Sequence, residues 1–248
     1  MIKHITCAAV AATLMGTGAS AATLTWQSYD QSQLSTARSD RDAIDTDHQV
    51  AYETFESYTP VADGGGVGDT TPLTSTSVGD FTTTPGGRCG NSCDTPDDQS
   101  LIRSTSSYGR YNTTLGGSNW LDSNDNSAIN LAAAGGSMFD SISFFLTDVD
   151  DVGRVAFEIE VAGEMFDVAE DILNSNRQGD GDLFLVSIGL DSLVNSVGIS
   201  LFIESGDGFG IDDVRLGSSM SPVPVPASLP LLAGGLGLLG WIARRRKS

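Results

Sequence analysis

Residues 154–162 read RVAFEIEVA. Val155, Phe157, Ile159 and Val161 take alternate positions, with Arg154, Glu158 and Glu160 among the residues between them. A period of two is that of an extended strand with one face buried and the other wet. The pattern repeats downstream. Residues 182–190 align Phe184, Val186, Ile188 and Leu190, and residues 196–204 align Val197, Ile199, Leu201 and Ile203. Upstream, Met138–Leu146 (MFDSISFFL) is a further strand, and Phe209–Leu216 (FGIDDVRL) is the last one. Short strands separated by turn residues predict an all-β, antiparallel sandwich.

Towards the N-terminus the signal thins. Val50–Tyr58 (VAYETFESY) and Ser100–Ser104 are candidate strands, and a short one is expected near Ser77–Thr82. Residues 59–90 are rich in Thr, Ser, Gly and Pro and read as a long irregular connection. Residues 22–49 form a polar, weakly patterned segment with one strand near Thr23–Tyr29. No amphipathic helix longer than a turn or two is evident; Phe166–Leu173 is the single weak candidate. The sandwich is therefore expected over 50–217.

Both ends carry address-like features. Lys3 and His4 precede an apolar stretch, Ile5–Met15, and Ala19-Ser20-Ala21 gives an A-x-A cleavage pattern. Residues 1–21 thus read as a signal peptide, with the mature chain starting near Ala22. Cys7 lies before most of the apolar stretch, which argues against a lipoprotein site. At the other end, residues 218–228 are a linker, 229–243 an apolar, glycine-broken helix, and 244–248 a basic end. The apolar run is shorter than the roughly 20 residues that cross a bilayer comfortably. Arg244, Arg245, Arg246 and Lys247 would hold that end on the cytoplasmic side. A plain membrane anchor and a processed sorting signal are both compatible with these residues.

Between the two ends, 32 acidic residues meet eight arginines and no lysine, a formal charge of −24. Such a surface repels nucleic acid and suits divalent cations. Two cysteines remain in the mature chain, Cys89 and Cys93; in an exported protein they read as a disulfide pinning a small loop. Enzymatic signatures are sparse. His48 is the lone histidine after maturation, no G-x-S-x-G elbow exists, and zinc lacks ligands. Gly64-Gly65-Gly66 has no P-loop lysine behind it. Asp122–Asn126 begins like an EF-hand loop, but Ser127 and Ala133 stand where glycine and glutamate are needed. Asp148-Val149-Asp150-Asp151 is an acidic turn or a calcium loop. A carboxylate pair for glycoside hydrolysis stays open among so many acids.

Val223-Pro224-Val225-Pro226-Ala227, followed by the Gly/Leu-rich helix and basic end, resembles the VPLPA variant of the PEP-CTERM sorting tail. The resemblance implies recognition by an exosortase-type membrane protease, transient contact with the inner membrane, and delivery to the cell surface or extracellular matrix of a Gram-negative bacterium. The segments MFDSISFFLTDVDDVGRVAFEIEV, GDLFLVSIGL and GDGFGIDDVRLG look like the ectodomain common in that family. That domain is similar to galactose-binding-like or carbohydrate-binding-module jelly rolls. The implied role is non-catalytic binding or structure, with exopolysaccharide as partner; the alternative is a secreted glycan-active hydrolase. By the same resemblance, a structural calcium would sit between Glu53 or Glu56 and Asp212 or Asp213. Asp213 shares an apolar face with Phe209 and Ile211 in a regular strand, and a buried carboxylate needs a cation or hydrogen-bond donors. A bulge would instead turn Asp213 outward and bring Val214 and Leu216 in. Sugar contacts would come from Tyr108, Arg110, Tyr111, Asn119 and Trp120, grouped in a polar loop region.

Overall fold

The computed structural model describes residues 21–44, 48–62, 67–86, 99–124, 126–149, 157–168, 181–203 and 208–219. Ala19 of the cleavage pattern, Cys89, Cys93, the Val223–Ala227 motif, the apolar tail and Arg244–Lys247 lie outside them. Among the described residues no helix is long and apolar enough to cross a membrane.

In chain order the elements are β1 (Ala22–Tyr29), α1 (Leu34–Ile44), β2 (Gln49–Glu53), β3 (Leu73–Thr76), β4 (Gly79–Thr84), β5 (Leu101–Arg103), β6 (Trp120–Asp122) and β7 (Ala128–Ala133). Then come β8 (Phe139–Thr147), β9 (Phe157–Val161), β10 (Glu164–Asp167), β11 (Leu183–Val194), β12 (Val197–Ile203) and β13 (Gly210–Gly217). They form two antiparallel sheets. The first runs β1-β11-β8-β13-β6-β5, with β2 also on β13; the second runs β10-β9-β12-β7-β4-β3.

The alternation that predicted the strands is the one that fills the core. In β9, Phe157, Ile159 and Val161 are buried while Glu158 and Glu160 are half-buried. Ile159 stands opposite Leu201 of β12 and Phe166 of β10. Ala162 and Gly163 both take positive φ, 53° and 87°, in the two-residue turn joining β9 to β10. A two-residue hairpin loop with this backbone matches the twist of its strands. Across the sandwich, Ile142, Phe144, Leu146, Phe184, Val186 and Ile188 meet Ile129, Leu131, Phe157, Ile199 and Leu201. Phe157 and Phe209 pack edge to face, 5.6 Å between ring centroids.

The run Phe144-Phe145-Leu146 is apolar on both faces because both faces of β8 are covered. Phe144 and Leu146 belong to the main core. Phe145 points the other way, into a second cluster with Tyr29, Ala37, Leu183 and Leu185. Helix α1 supplies Ala37 and so roofs the outer face of the first sheet.

That helix corrects the expectation that no helix exceeds a turn or two. Its fully buried residues are only Ala37 and Arg41, with Leu34 partly buried against the same cluster, so its packed face carries just two apolar residues. The extent of the sandwich is also corrected. β1 pairs with β11 from Ala22↔Leu190 to Tyr29↔Leu183, so the sheet begins at Ala22 rather than Val50. The helix candidate at Phe166–Leu173 starts instead in β10; its residues from 169 on lie outside the described ones. The strand expected over Val50–Tyr58 stops at Glu53, where the Glu53 carboxylate accepts the Thr54 and Phe55 N–H groups at 3.1 and 2.8 Å.

Candidate functional site

β13 is where the site begins. It pairs with β8 along one edge. On its other edge Gly210 and Ile211 pair with β6, and Val214–Leu216 pair with β2. The register on β8 slips between Asp212 and Arg215, and Asp213 takes φ 56°. This is a β-bulge, an extra residue that re-aims its neighbours. Ile211, Val214 and Leu216 all reach the core. Of the two arrangements open in the sequence, the bulge is therefore the one adopted. It sends Asp213 and Arg215 to the outer face, beneath α1.

There they meet the helix. Ala37 and Arg41 are four residues apart and share the buried face of α1. Arg41 lies over the Phe145 ring at 4.8 Å and is ion-paired with Asp213. Its Nε is buried with no hydrogen-bond partner. Arg215 donates from Nη1 to Asp42 at 2.8 Å, lies 3.6 Å from Asp213 through Nε, and covers the Tyr52 ring at 4.9 Å. Arg38 donates from Nε to the Thr113 carbonyl at 2.6 Å; Asp213 and Asp212 act on it at longer range, with no ion pair at contact distance among the described residues.

Together with Ser35, Ser39 and Leu115 these groups line a cleft of about 330 Å³. Its electrostatics are uneven. Burial pushes Arg38 below its usual range. Burial also works against the Arg215 charge, but Asp213, Asp42 and Tyr52 more than offset it. The Tyr52 hydroxyl is pushed up to about 12, first by burial and then by Asp213. The tyrosine therefore stays protonated, its hydroxyl hydrogen-bonded to Asp213.

The four carboxylates expected around calcium are each engaged by protein donors. Asp212 is buried and accepts from the Thr113 and Thr114 N–H groups at 2.6 and 2.9 Å, from both threonine hydroxyls, and from Asn112. Burial nonetheless lifts its carboxyl to about 7; backbone donation from Thr113 pulls the other way and is outweighed. Glu53 also accepts from the Ser77 N–H at 3.1 Å. Glu56 accepts from the Ser118 and Asn119 N–H groups, both at 2.7 Å. Asp213 has Arg41. No three His, Cys, Asp or Glu side chains among the described residues stand close enough to share a metal ion. The partner that buried carboxylates require is thus supplied here by amides, hydroxyls and a guanidinium.

The residues expected to contact sugar lie mostly inside the fold. Trp120 is fully buried, and Tyr111 is buried with its hydroxyl donating to the Gly181 carbonyl at 3.1 Å. Neither ring face is available for stacking. Arg110 is buried in a charge chain, bonded to Asp122 at 2.7 Å and Asp148 at 3.4 Å, while Arg103 holds the other Asp122 oxygen at 3.1 Å. Asn119 is buried, donating to the Phe55 and Tyr58 carbonyls. Only Tyr108 of the group is exposed, 5.9 Å from the Arg110 guanidinium. The polar loop folds inward because its charges pair with one another. Arg38, Arg41 and Arg215, which do line a cleft, come from distant segments and carry no local motif.

No family model matches the sequence, and no curated protein matches it. Among solved structures, a likeness is found to the catalytic domain of a GH87 alpha-1,3-glucanase in complex with nigerose. It is 15% identical, covers 49% of this chain and 26% of that one, and has a TM-score of 0.29. This chain spans about a quarter of that chain's length. A TM-score at this level supports no inference about fold or activity.

Proposed function

We propose that this protein is an exported binding module, a jelly-roll-like sandwich of the galactose-binding type that contacts exopolysaccharide at the cell surface or in the extracellular matrix. An exosortase-type protease would process its tail. The observation that carries the binding part is the open polar cleft between α1 and β13, of a size that accepts one or two sugar rings. Ligand sites are typically concave, with a few placed polar groups on a rigid frame. This cleft meets that description, because its arginines are fixed by a helix roof and a bulged central strand. The tail and the A-x-A pattern support the export part.

Two measurements test the reading. A glycan array or polysaccharide pull-down with the purified protein should retain an exopolysaccharide; retention of none would leave only a structural role. Mass spectrometry of the protein from cells should find a start near Ala22 and no residues beyond the linker. An intact apolar tail would replace processing with a permanent anchor.

A further inference from the structure

We infer that the cleft beneath α1 is selective for an acidic sugar, a uronate residue. This inference rests on the binding role proposed above. The first argument is distribution. The described residues include five arginines, and they fall into two groups. Arg103 and Arg110 are buried against Asp122 and Asp148. Arg38, Arg41 and Arg215 all line one cleft. In a mature chain carrying −24, this cleft gathers cations where the rest of the sequence offers acids.

The second argument is local charge. The three guanidinium groups face two carboxylates in the cleft wall, Asp42 and Asp213. Asp212, buried beside Asp213, also acts on Arg38, so the formal charges around the cleft are balanced. Arg38 is the one of the three without an ion pair at contact distance, and it has given only its Nε to a backbone carbonyl. Arg38 is open to a close partner that a ligand carboxylate would supply. Its remaining N–H donors form a fork suited to a carboxylate. A neutral sugar would leave that fork without an ionic partner.

The third argument concerns the remaining lining. Ser35 and Ser39 are exposed on α1; Ser39 gives its proton to the Ser35 carbonyl at 3.1 Å and keeps acceptor capacity, and Ser35 offers a second hydroxyl. Leu115 stands 82% exposed at the rim, an apolar surface for a ring face. A carboxylate on a hydroxyl-bearing ring matches this mixture; a bare carboxylate uses only part of it.

The test compares methyl glucuronide with methyl glucoside, which differ in one carboxylate, by calorimetric titration of the purified protein. The glucuronide should bind at least tenfold tighter. Arg38→Gln should abolish that preference with little change in melting temperature, because Arg38 makes one hydrogen bond and no ion pair. If Arg38→Gln does not fold, Ser39→Trp at the exposed rim should block the cleft and abolish glucuronide binding. Equal binding of the two glycosides, or an unchanged preference in Arg38→Gln, overturns the inference. Acetate binding as tightly as the glucuronide overturns its sugar part. Failure here and failure of the binding role are separable. A neutral polysaccharide retained equally by parent and Arg38→Gln keeps the role and refutes the cleft. Glucuronide binding without retention of any polysaccharide does the reverse.

Discussion

Replacing Arg41 by methionine removes one partner of the most enclosed ion pair in the cleft. The Arg41 side chain is 3% exposed and that of Asp213 is 1% exposed. Methionine keeps the apolar contact with Phe145, so the loss is mainly electrostatic. Breaking a buried pair from one side costs about 3–5 kcal/mol, because the remaining charge is stranded away from water. Arg215, 3.6 Å from Asp213, takes up part of that charge. The expected cost is therefore at the low end, about 3 kcal/mol. In urea that is a fall in midpoint of about 1 M. The double replacement Arg41→Met/Asp213→Asn should recover most of it, since no stranded charge is left. Asparagine also tolerates the positive φ at position 213. Unfolding can be followed through Trp120, which is fully buried. A single-variant cost below about 1 kcal/mol, or a double variant as unstable as the sum of its singles, would refute this account of the pair.

Three further outcomes can be checked. Gly79→Ala should cost about 3 kcal/mol, since φ is +123° and the new Cβ would run into the Ala132 carbonyl oxygen; a loss under about 1 kcal/mol in urea titration would show that the β3–β4 turn is placed differently. With the Asp212 carboxyl raised to about 7, the folded state holds a proton that the unfolded chain releases between about pH 4 and 7. Stability from this group is full below that window and lost as pH rises through it. Thermal melts of the parent should therefore weaken from pH 5 to pH 8 relative to Asp212→Asn, and a constant difference between the two would contradict the raised carboxyl. Calcium at millimolar excess should leave the melting temperature unmoved through Glu53, Glu56, Asp212 and Asp213; a rise that disappears in Asp212→Asn/Asp213→Asn would reinstate a cation there.

What the sequence discloses and what it hides divide along locality. β9, β11 and β12 are legible because each carries its own two-faced pattern over at least five residues. β3 is not, since Leu73-Thr74-Ser75-Thr76 buries only its two end residues and looks like the loop around it. Helix α1 hides for a different reason. It packs through Leu34, Ala37 and Arg41, too few apolar residues to stand out to a reader counting them. A signal was nevertheless present at its approach, where the Asp30 and Gln33 side chains form a capping box three residues apart. The bulge in β13 is readable as a phase slip, with Phe209 and Ile211 followed by Val214 and Leu216. The cleft is not, because its cations join residues 38 and 41 to residue 215. Nothing in one dimension brings them together. The group expected to contact sugar shows the same limit: an arginine in a polar loop looks exposed, yet Asp122 and Asp148 from other segments pair with Arg110 and bury it.

β13 is the last described strand in the chain and sits in the middle of its sheet. Before residues 210–217 arrive, β8 has an open edge and β2 and β6 have no shared neighbour. A chain delivered N-terminus first, from a ribosome or through a translocon, must wait with those edges unpaired. Open edges invite wrong partners, and contacts between distant residues form slowly. The timing of folding is thereby set by the end of delivery. A chain cut before Gly210 is not a slightly smaller sandwich but one split down its centre, with the floor of the cleft missing. Completion of the sheet and completion of the cleft are a single late event.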